Sequence, residues 1–152
     1  MFLDLSDMFE LEDQPPLSNE IRFMNDHLHE WGSPLLLAFD SSPEINAQYT
    51  QAISYALDKG ANLQNFSLYQ ENIPIGSITI TINEGIARID NVGTLPAYQG
   101  QGVATKLMRH VLVHARKHGV DLCFLEASSA GKKVYERLGF KTMYESNTYK
   151  KI

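Results

Sequence analysis

Apolar residues follow two rhythms along this chain, and the rhythm changes with position. Between Phe66 and Thr94 they alternate or cluster in short β-branched runs bounded by turn residues, which reads as strands. Residues 66–70, 75–82 and 86–94 are expected to form a three-strand meander. Its turns fall at 71–74 and 83–85, where Gly85 supplies a left-handed angle. From Val103 to His118 the period lengthens to that of a helix. Val103, Ala104, Leu107, Met108, Val111 and Ala115 share one arc; Lys106, Arg109, Arg116 and Lys117 share the other. Gly119 stops this helix. Residues 120–126 read as a mostly apolar strand, parallel to its predecessor through a right-handed crossover. Ser129 caps a short helix over 130–138, and residues 140–144 and 147–150 read as closing strands.

The first third has a less regular rhythm. Residues 1–16 alternate acids with Phe2, Leu3, Leu5, Met8, Phe9 and Leu11, then meet Pro15 and Pro16. They read as a short helix packed on the domain or on a second subunit, or as a loose arm. Ser18 caps a helix over 19–31 that ends at Gly32 and carries Ile21, Met24, Leu28 and Trp31 on one face. The apolar run 34–40 reads as a buried strand. Ser42, Pro43 and Glu44 make a helix start, and the helix runs to Lys59 with Ile45, Tyr49, Ile53 and Leu57 as its apolar face.

With 152 residues, 43% of them hydrophobic, the chain is expected to be a single domain over 1–152, with 1–33 as an acidic, helical extension. Cys123 is the sole cysteine, so no disulfide framework exists and a reducing compartment fits. The first residues lack the basic start of a secretory signal, and no apolar run reaches membrane-spanning length. A cytoplasmic protein is expected. The net charge of −5 divides unevenly: thirteen acids against two bases up to Gly85 leave −11, and five acids against eleven bases beyond it leave +6. The basic half suits an anionic ligand. The acidic half suits a cationic one, although plain solubility accounts for it equally well.

The stretch from Asn91 to Thr105 carries the most chemistry. A strand runs into Pro96, then a glycine turn, then a helix. Gly100 and Gly102 permit angles and approaches that a Cβ would block. A helix entered this way offers unpaired N–H groups and the positive end of its dipole to a phosphate. No Gly-Lys-Ser/Thr follows, so it is not a Walker loop. The third glycine of a dinucleotide fingerprint is missing as well.

Gln99-Gly100-Gln101-Gly102-Val103-Ala104 resembles the Q/R-x-x-G-x-G/A motif of the GNAT acetyltransferase superfamily. Downstream, Ser128 to Phe140, with its Tyr135 and its Leu-Gly-Phe ending, resembles that family's second signature. The resemblance covers roughly residues 66–149. It implies a mixed α/β fold with a mainly antiparallel central sheet, splayed between two parallel strands, and helices on both faces. It implies an acetyl-CoA-dependent N-acetyltransferase acting on a primary amine by direct attack. The second reading is a non-catalytic acyl-CoA-binding sensor or interaction module of the same fold.

By the same resemblance, backbone groups of Val92, Gly93 and Thr94 meet the pantetheine arm and thioester. N–H groups of Gln99, Gly100, Gln101, Gly102, Val103 and Ala104 hold the pyrophosphate, and Thr105 adds a hydroxyl. Ser128 stands where many relatives bond the pantetheine through Asn, and Lys132 can reach a cofactor phosphate. Tyr135 matches the general acid that serves the leaving thiolate; a phenol with pKa about 10 is protonated at neutral pH. Glu126 and Asp90 are rival bases. Each of these residues has a plainer reading: a packed tyrosine, a surface carboxylate, an exposed helix lysine.

The partners expected are acetyl-CoA and an amine acceptor, either a small cation or a protein or peptide amine. No nucleic acid, no membrane and no metal are expected, and the apolar arm admits a homodimer. His110, His114 and His118 stand at i, i+4 spacing, which can bind metal, but a solvated stripe is the simpler reading. Cys123 reads as a buried inert thiol.

Overall fold

The computed structural model describes residues 1–7 and 21–151. Its strands are β1 (Phe2–Asp4), β2 (Ile21–Phe23), β3 (Leu63–Gln70), β4 (Ile73–Asn83), β5 (Ile86–Thr94) and β6 (Leu122–Leu125). Its helices are α1 (Leu28–Ala38), α2 (Pro43–Asp58), α3 (Val103–Lys117) and α4 (Lys132–Arg137). The six strands form one sheet in the order β1-β6-β5-β4-β3-β2. Every neighbouring pair is antiparallel except β5 and β6. Among the described residues, no helix is long and apolar enough to cross a membrane.

The meander forms where the sequence places it. Its two hairpins close through Glu71–Asn72 and Glu84–Gly85, with φ of 51° and 63°, then 47° and 77°. Two left-handed central residues match the twist of the strands they join. Asn83 therefore belongs to β4, paired with Ile86, rather than to the turn.

Helices α1 and α3 press on opposite faces of β4 and β5, and two glycines let them in. A Cβ on Gly76 would lie 2.5 Å from Val103 Cγ1 of α3. A Cβ on Gly93 would lie 2.7 Å from Leu35 Cδ2 of α1. Ser77, not Gly76, pairs with Gly93, so the two glycines face opposite ways. Under α3 lies the larger core, with Phe66, Ile78, Ile80, Ile89, Leu107, Met108, Val111 and Cys123. Under α1 lies a smaller one of Met24, Trp31, Leu35, Ile53 and Tyr69.

Several sequence expectations are corrected. The helix over 19–31 and the strand over 34–40 are replaced by β2 and by one helix, α1, that runs through both Gly32 and Pro34. Gly32 is a packing site rather than a stop: a Cβ there would lie 2.8 Å from Thr50 Cγ2 of α2. Pro34 lacks the N–H that would bond the Glu30 carbonyl, and the Ser33 hydroxyl donates to that carbonyl instead at 2.8 Å. Ser18 and residues 8–16 lie outside the described residues. The start of the chain is neither helix nor arm, because β1 pairs with β6 and a 3₁₀ turn (Leu5–Asp7) follows.

The start of α2 is as expected: Ser42 Oγ accepts from the Ile45 N–H at 3.2 Å. Its apolar face is narrower, since Ile53 is buried while Ile45 is 61% exposed. Ser128, not Ser129, accepts from the Gly131 N–H ahead of α4. The closing strands do not form. β1 occupies the outer edge of β6, and beyond it only an isolated bridge joins Phe2 to Lys141.

Of the three histidines at i, i+4 spacing only His118 is exposed as expected; His110 and His114 are half-buried. His110 and His114 pack edge-on against Phe66, with ring centroids 5.0 and 5.6 Å away. His114 hydrogen-bonds Gln64, and His118 lies 4.2 Å from the His114 ring. Among the described residues, no group of three or more metal-ligating side chains assembles.

Two outcomes follow. Gly76→Val drives a side chain into Val103 and Leu107 and is expected to cost about 1–3 kcal/mol, seen as a lower melting temperature. Burial, with help from Lys117, lowers the pKa of His110; burial, with His118 and His110 next, lowers that of His114. The unfolded chain then binds more protons below about pH 6.5, so stability falls as pH drops through that value. Melting curves from pH 7.5 to about 5.5 should show this, and a His110→Gln/His114→Gln double variant should flatten it.

Candidate functional site

The site begins where parallel pairing ends. β6 matches β5 only from Ile86↔Leu122 to Ile89↔Leu125. β5 continues to Thr94 with β4 alone as its neighbour among the described residues. Within this extension the register against β4 shifts, so that Asn91 and Val92 together face Ile78. Asn91 sits at φ 55°, a left-handed angle that Asn tolerates better than most residues. Such a bulge bends its strand and sharpens the twist. It leaves Val92, Gly93 and Thr94 with one backbone edge free of β6.

The chain then turns through a 3₁₀ segment (Pro96–Tyr98) into α3. Gly102 is the N-cap at φ 82°, with no side chain capping it. The Lys106 N–H returns to the Gly102 carbonyl at 3.0 Å, so those of Val103, Ala104 and Thr105 precede the first intrahelical bond. Nothing lies within 4 Å of a Cβ placed on Gly100 or Gly102, so the space over the turn is open. Gln101 Nε2 donates to the Ala97 carbonyl at 3.2 Å, and Gln99 Nε2 reaches the Thr94 carbonyl at 3.5 Å. Both glutamine side chains thus brace the turn; the Gln99 N–H is bonded to the Pro96 carbonyl at 3.4 Å, and the N–H groups that follow it are left to an anion. The arrangement fits a pyrophosphate: free donors, a helix dipole behind them and room in front.

Ser128 and Tyr135 come together around Gly131. A Cβ on Gly131 would lie 3.4 Å from the Ser128 Oγ and 3.4 Å from the Tyr135 hydroxyl. Tyr135 is buried against Phe140, with ring centroids 6.1 Å apart, and burial raises its pKa. It therefore keeps its proton past the ordinary tyrosine range. Lys132, by contrast, is paired: its Nζ lies 3.0 Å from Glu145 Oε1, and that bond raises its pKa. The pair is solvent-exposed and exchanges readily.

The two candidate bases meet at one cation that the sequence reading missed. Arg88 Nε donates to both oxygens of Asp90, at 3.1 and 2.9 Å. Its Nη2 lies 3.8 Å from Glu126 Oε1, and its guanidinium faces the Phe124 ring at 5.8 Å. The signal was present in strand alternation: Arg88 and Asp90 are two residues apart on one face, and the register Arg88↔Phe124 puts Glu126 two residues beyond on the next strand. Asp90 is thus engaged through both oxygens, while the Glu126 side chain is 78% exposed. Cys123 is fully buried and its pKa is pushed up to about 12, which leaves no thiolate for nucleophilic work at neutral pH.

Comparison with known proteins agrees with this geometry. The sequence matches the acetyltransferase (GNAT) family over residues 10–140. It is similar to the ribosomal protein bS18-alanine N-acetyltransferase of Escherichia coli K12, with 32% identity over 93 residues, 57% of this chain and 61% of that relative. The chain thus spans about three fifths of the length of that enzyme. Its fold is similar to the crystal structure of a Trypanosoma brucei acetyltransferase, with a TM-score of 0.69 and 19% identity over 88% of this chain and 99% of the other. It is also similar to that of the aminoglycoside N-acetyltransferase AAC(6')-Iy in complex with CoA, with a TM-score of 0.68 and 21% identity over 86% and 93% of the two chains. The six-stranded, mostly antiparallel sheet, the parallel strands that part above an uncapped helix start, and the match across most of the sequence lead to one assignment: the chain belongs to the GNAT acetyltransferase family.

Proposed function

We propose that residues 1–152 act as one cytoplasmic domain that transfers an acetyl group from acetyl-CoA to a primary amine. The observation that carries this reading is the open β5 edge running directly into the glycine-turned, uncapped start of α3. In this reading the backbone of Val92, Gly93 and Thr94 lines the pantetheine arm and offers a donor to the developing oxyanion. N–H groups from Gly100 to Ala104 hold the pyrophosphate, with Gln99 bracing the turn ahead of them, and the Thr105 hydroxyl joins them. Ser128 faces the pantetheine, and Lys132 exchanges Glu145 for a cofactor phosphate.

Catalysis then needs two proton movements. Glu126, acting through water, takes the proton of the attacking ammonium; Asp90 serves it less well because Arg88 holds both of its oxygens. The amine nitrogen bonds the acetyl carbon, the carbon–sulfur bond breaks, and Tyr135 gives its proton to the departing thiolate; the extra proton left on the new amide nitrogen passes to solvent, from which Tyr135 is reprotonated. The buried Cys123 takes no part. The leading acceptor is the α-amine of a protein or peptide, supported by the 32% identity to an enzyme named for an alanine of a ribosomal protein. A small cationic amine is the alternative acceptor.

The test is release of CoA thiol against peptides with free N-termini, lysine peptides, polyamines and aminoglycosides. Turnover on one class is expected, and Tyr135→Phe should lower it by about tenfold or more, as loss of an acid–base group does. Glu126→Gln should act in the same direction and Asp90→Asn less. Binding of acetyl-CoA with no turnover on any class, indifferent to Tyr135→Phe, would instead favour a sensor module. Separately, Gly102→Ala forces a left-handed angle on a Cβ-bearing residue at a cost of about 1–2 kcal/mol. Calorimetry should show acetyl-CoA binding weakened by roughly tenfold if the turn must deform to relieve that strain.

A further inference from the structure

A chain of side-chain hydrogen bonds crosses the sheet beneath α1 and ends at the bulge. The Tyr49 hydroxyl of α2 donates to Asn91 Oδ1 at 3.0 Å. Asn91 Nδ2 donates to Thr79 Oγ1 at 3.1 Å, and the Thr79 hydroxyl donates to Asn65 Oδ1 at 2.6 Å. Asn65 Nδ2 donates to Asn25 Oδ1 at 3.0 Å, and Asn25 Nδ2 closes the series on the Leu63 carbonyl at 2.8 Å. Each member donates in the same direction, so the polarity of the whole series is fixed. Its centre is dry: Asn65 is 0% and Thr79 1% exposed.

We propose that Asn91 is a positioning residue for acetyl transfer, set by Thr79 from within the sheet and by Tyr49 from α2; this rests on the acetyl-CoA reading above. A left-handed Asn on a strand is a strained choice that its surroundings must hold. Thr79 and Tyr49 hold both ends of its amide, and so fix the bulge from which residues 92–94 depart. Tyr49 also stacks on Trp31, with ring centroids 6.4 Å apart, so the same amide ties the α1–α2 wall to the strand that faces the thioester. Replacing the Thr79 hydroxyl by a methyl leaves Asn65 Oδ1 unpaired in a dry interior and takes the acceptor from the half-buried Asn91 Nδ2, and the bulge loses its anchor.

The experiment is titration of acetyl-CoA into the ¹⁵N-labelled chain, followed by amide shifts, with kinetics on the acceptor found in the panel. The native chain is expected to shift at both loci, residues 92–94 and residues 99–105. Thr79→Val should keep the shifts at 99–105 and lose those at 92–94, with kcat down about 10–100-fold and KM for acetyl-CoA within about twofold, as a misplacement near 1 Å would produce. Thr79→Ser should restore both. If Thr79→Val does not fold, Tyr49→Phe, at a surface position, should show the same selective loss in weaker form. Native-like shifts and kcat in whichever of these variants folds would overturn the positioning role while leaving the acetyl-CoA reading intact. A native chain that shifts at neither locus would overturn that reading, and this proposal with it.

Discussion

Successive residues of a strand turn their backbone N–H and carbonyl groups to opposite edges, and from Asp90 to Thr94 strand β5 has, among the described residues, a neighbouring strand on one edge only. That imbalance organises the molecule. β6 is four residues long and stops at Leu125, so the strand beside it is left to satisfy its remaining groups with something other than this sheet. The bulge at Asn91 adds bend at the same level, and the glycine turn then swings α3 up with its donors unspent. An extended ligand with its own amides and a phosphate at one end satisfies all of these groups at once.

Such an opening survives only if the strands around it cannot drift together. The clamp is the pair of close approaches at Gly76 and Gly93, where side chains of α3 and α1 rest on the backbone of β4 and β5 from opposite sides. Helices seated this deeply fix the strands in place, because interiors packed to crystal-like density do not deform by small degrees. The start of α3 is therefore located by apolar contacts of Val103 and Leu107, while its polar groups remain available.

How much of this the sequence disclosed depends on how local the cause is. The meander, α3, its glycine turn and the Ser42 cap were legible because periodicity and capping act within a few residues. α1 was not, since Gly32 and Pro34 are breakers by local rules and are reconciled with a helix only by Thr50 on α2 and by the Ser33 hydroxyl. The closing strands failed for a non-local reason: the edge they would have used belongs to β1. In the site, the turn residues and Tyr135 could be named from motif spacing. Alternation along β5 puts Arg88 beside Asp90, but the parallel register was needed to bring Glu126 to the same guanidinium.

The seating of β1 on β6 also governs the order in which the molecule can assemble. Phe2 pairs with Phe124 across nearly the whole length of the chain. A contact this distant in sequence must wait until the intervening segments have shortened the loop between its ends. Leu3 and Leu5, among the most buried residues, enter the core through this distant pairing. Until they do, β6 presents an unpaired strand edge flanked by apolar residues, the kind of surface on which other chains pair. Seating β1 therefore closes an edge that would otherwise be open to pairing with other chains.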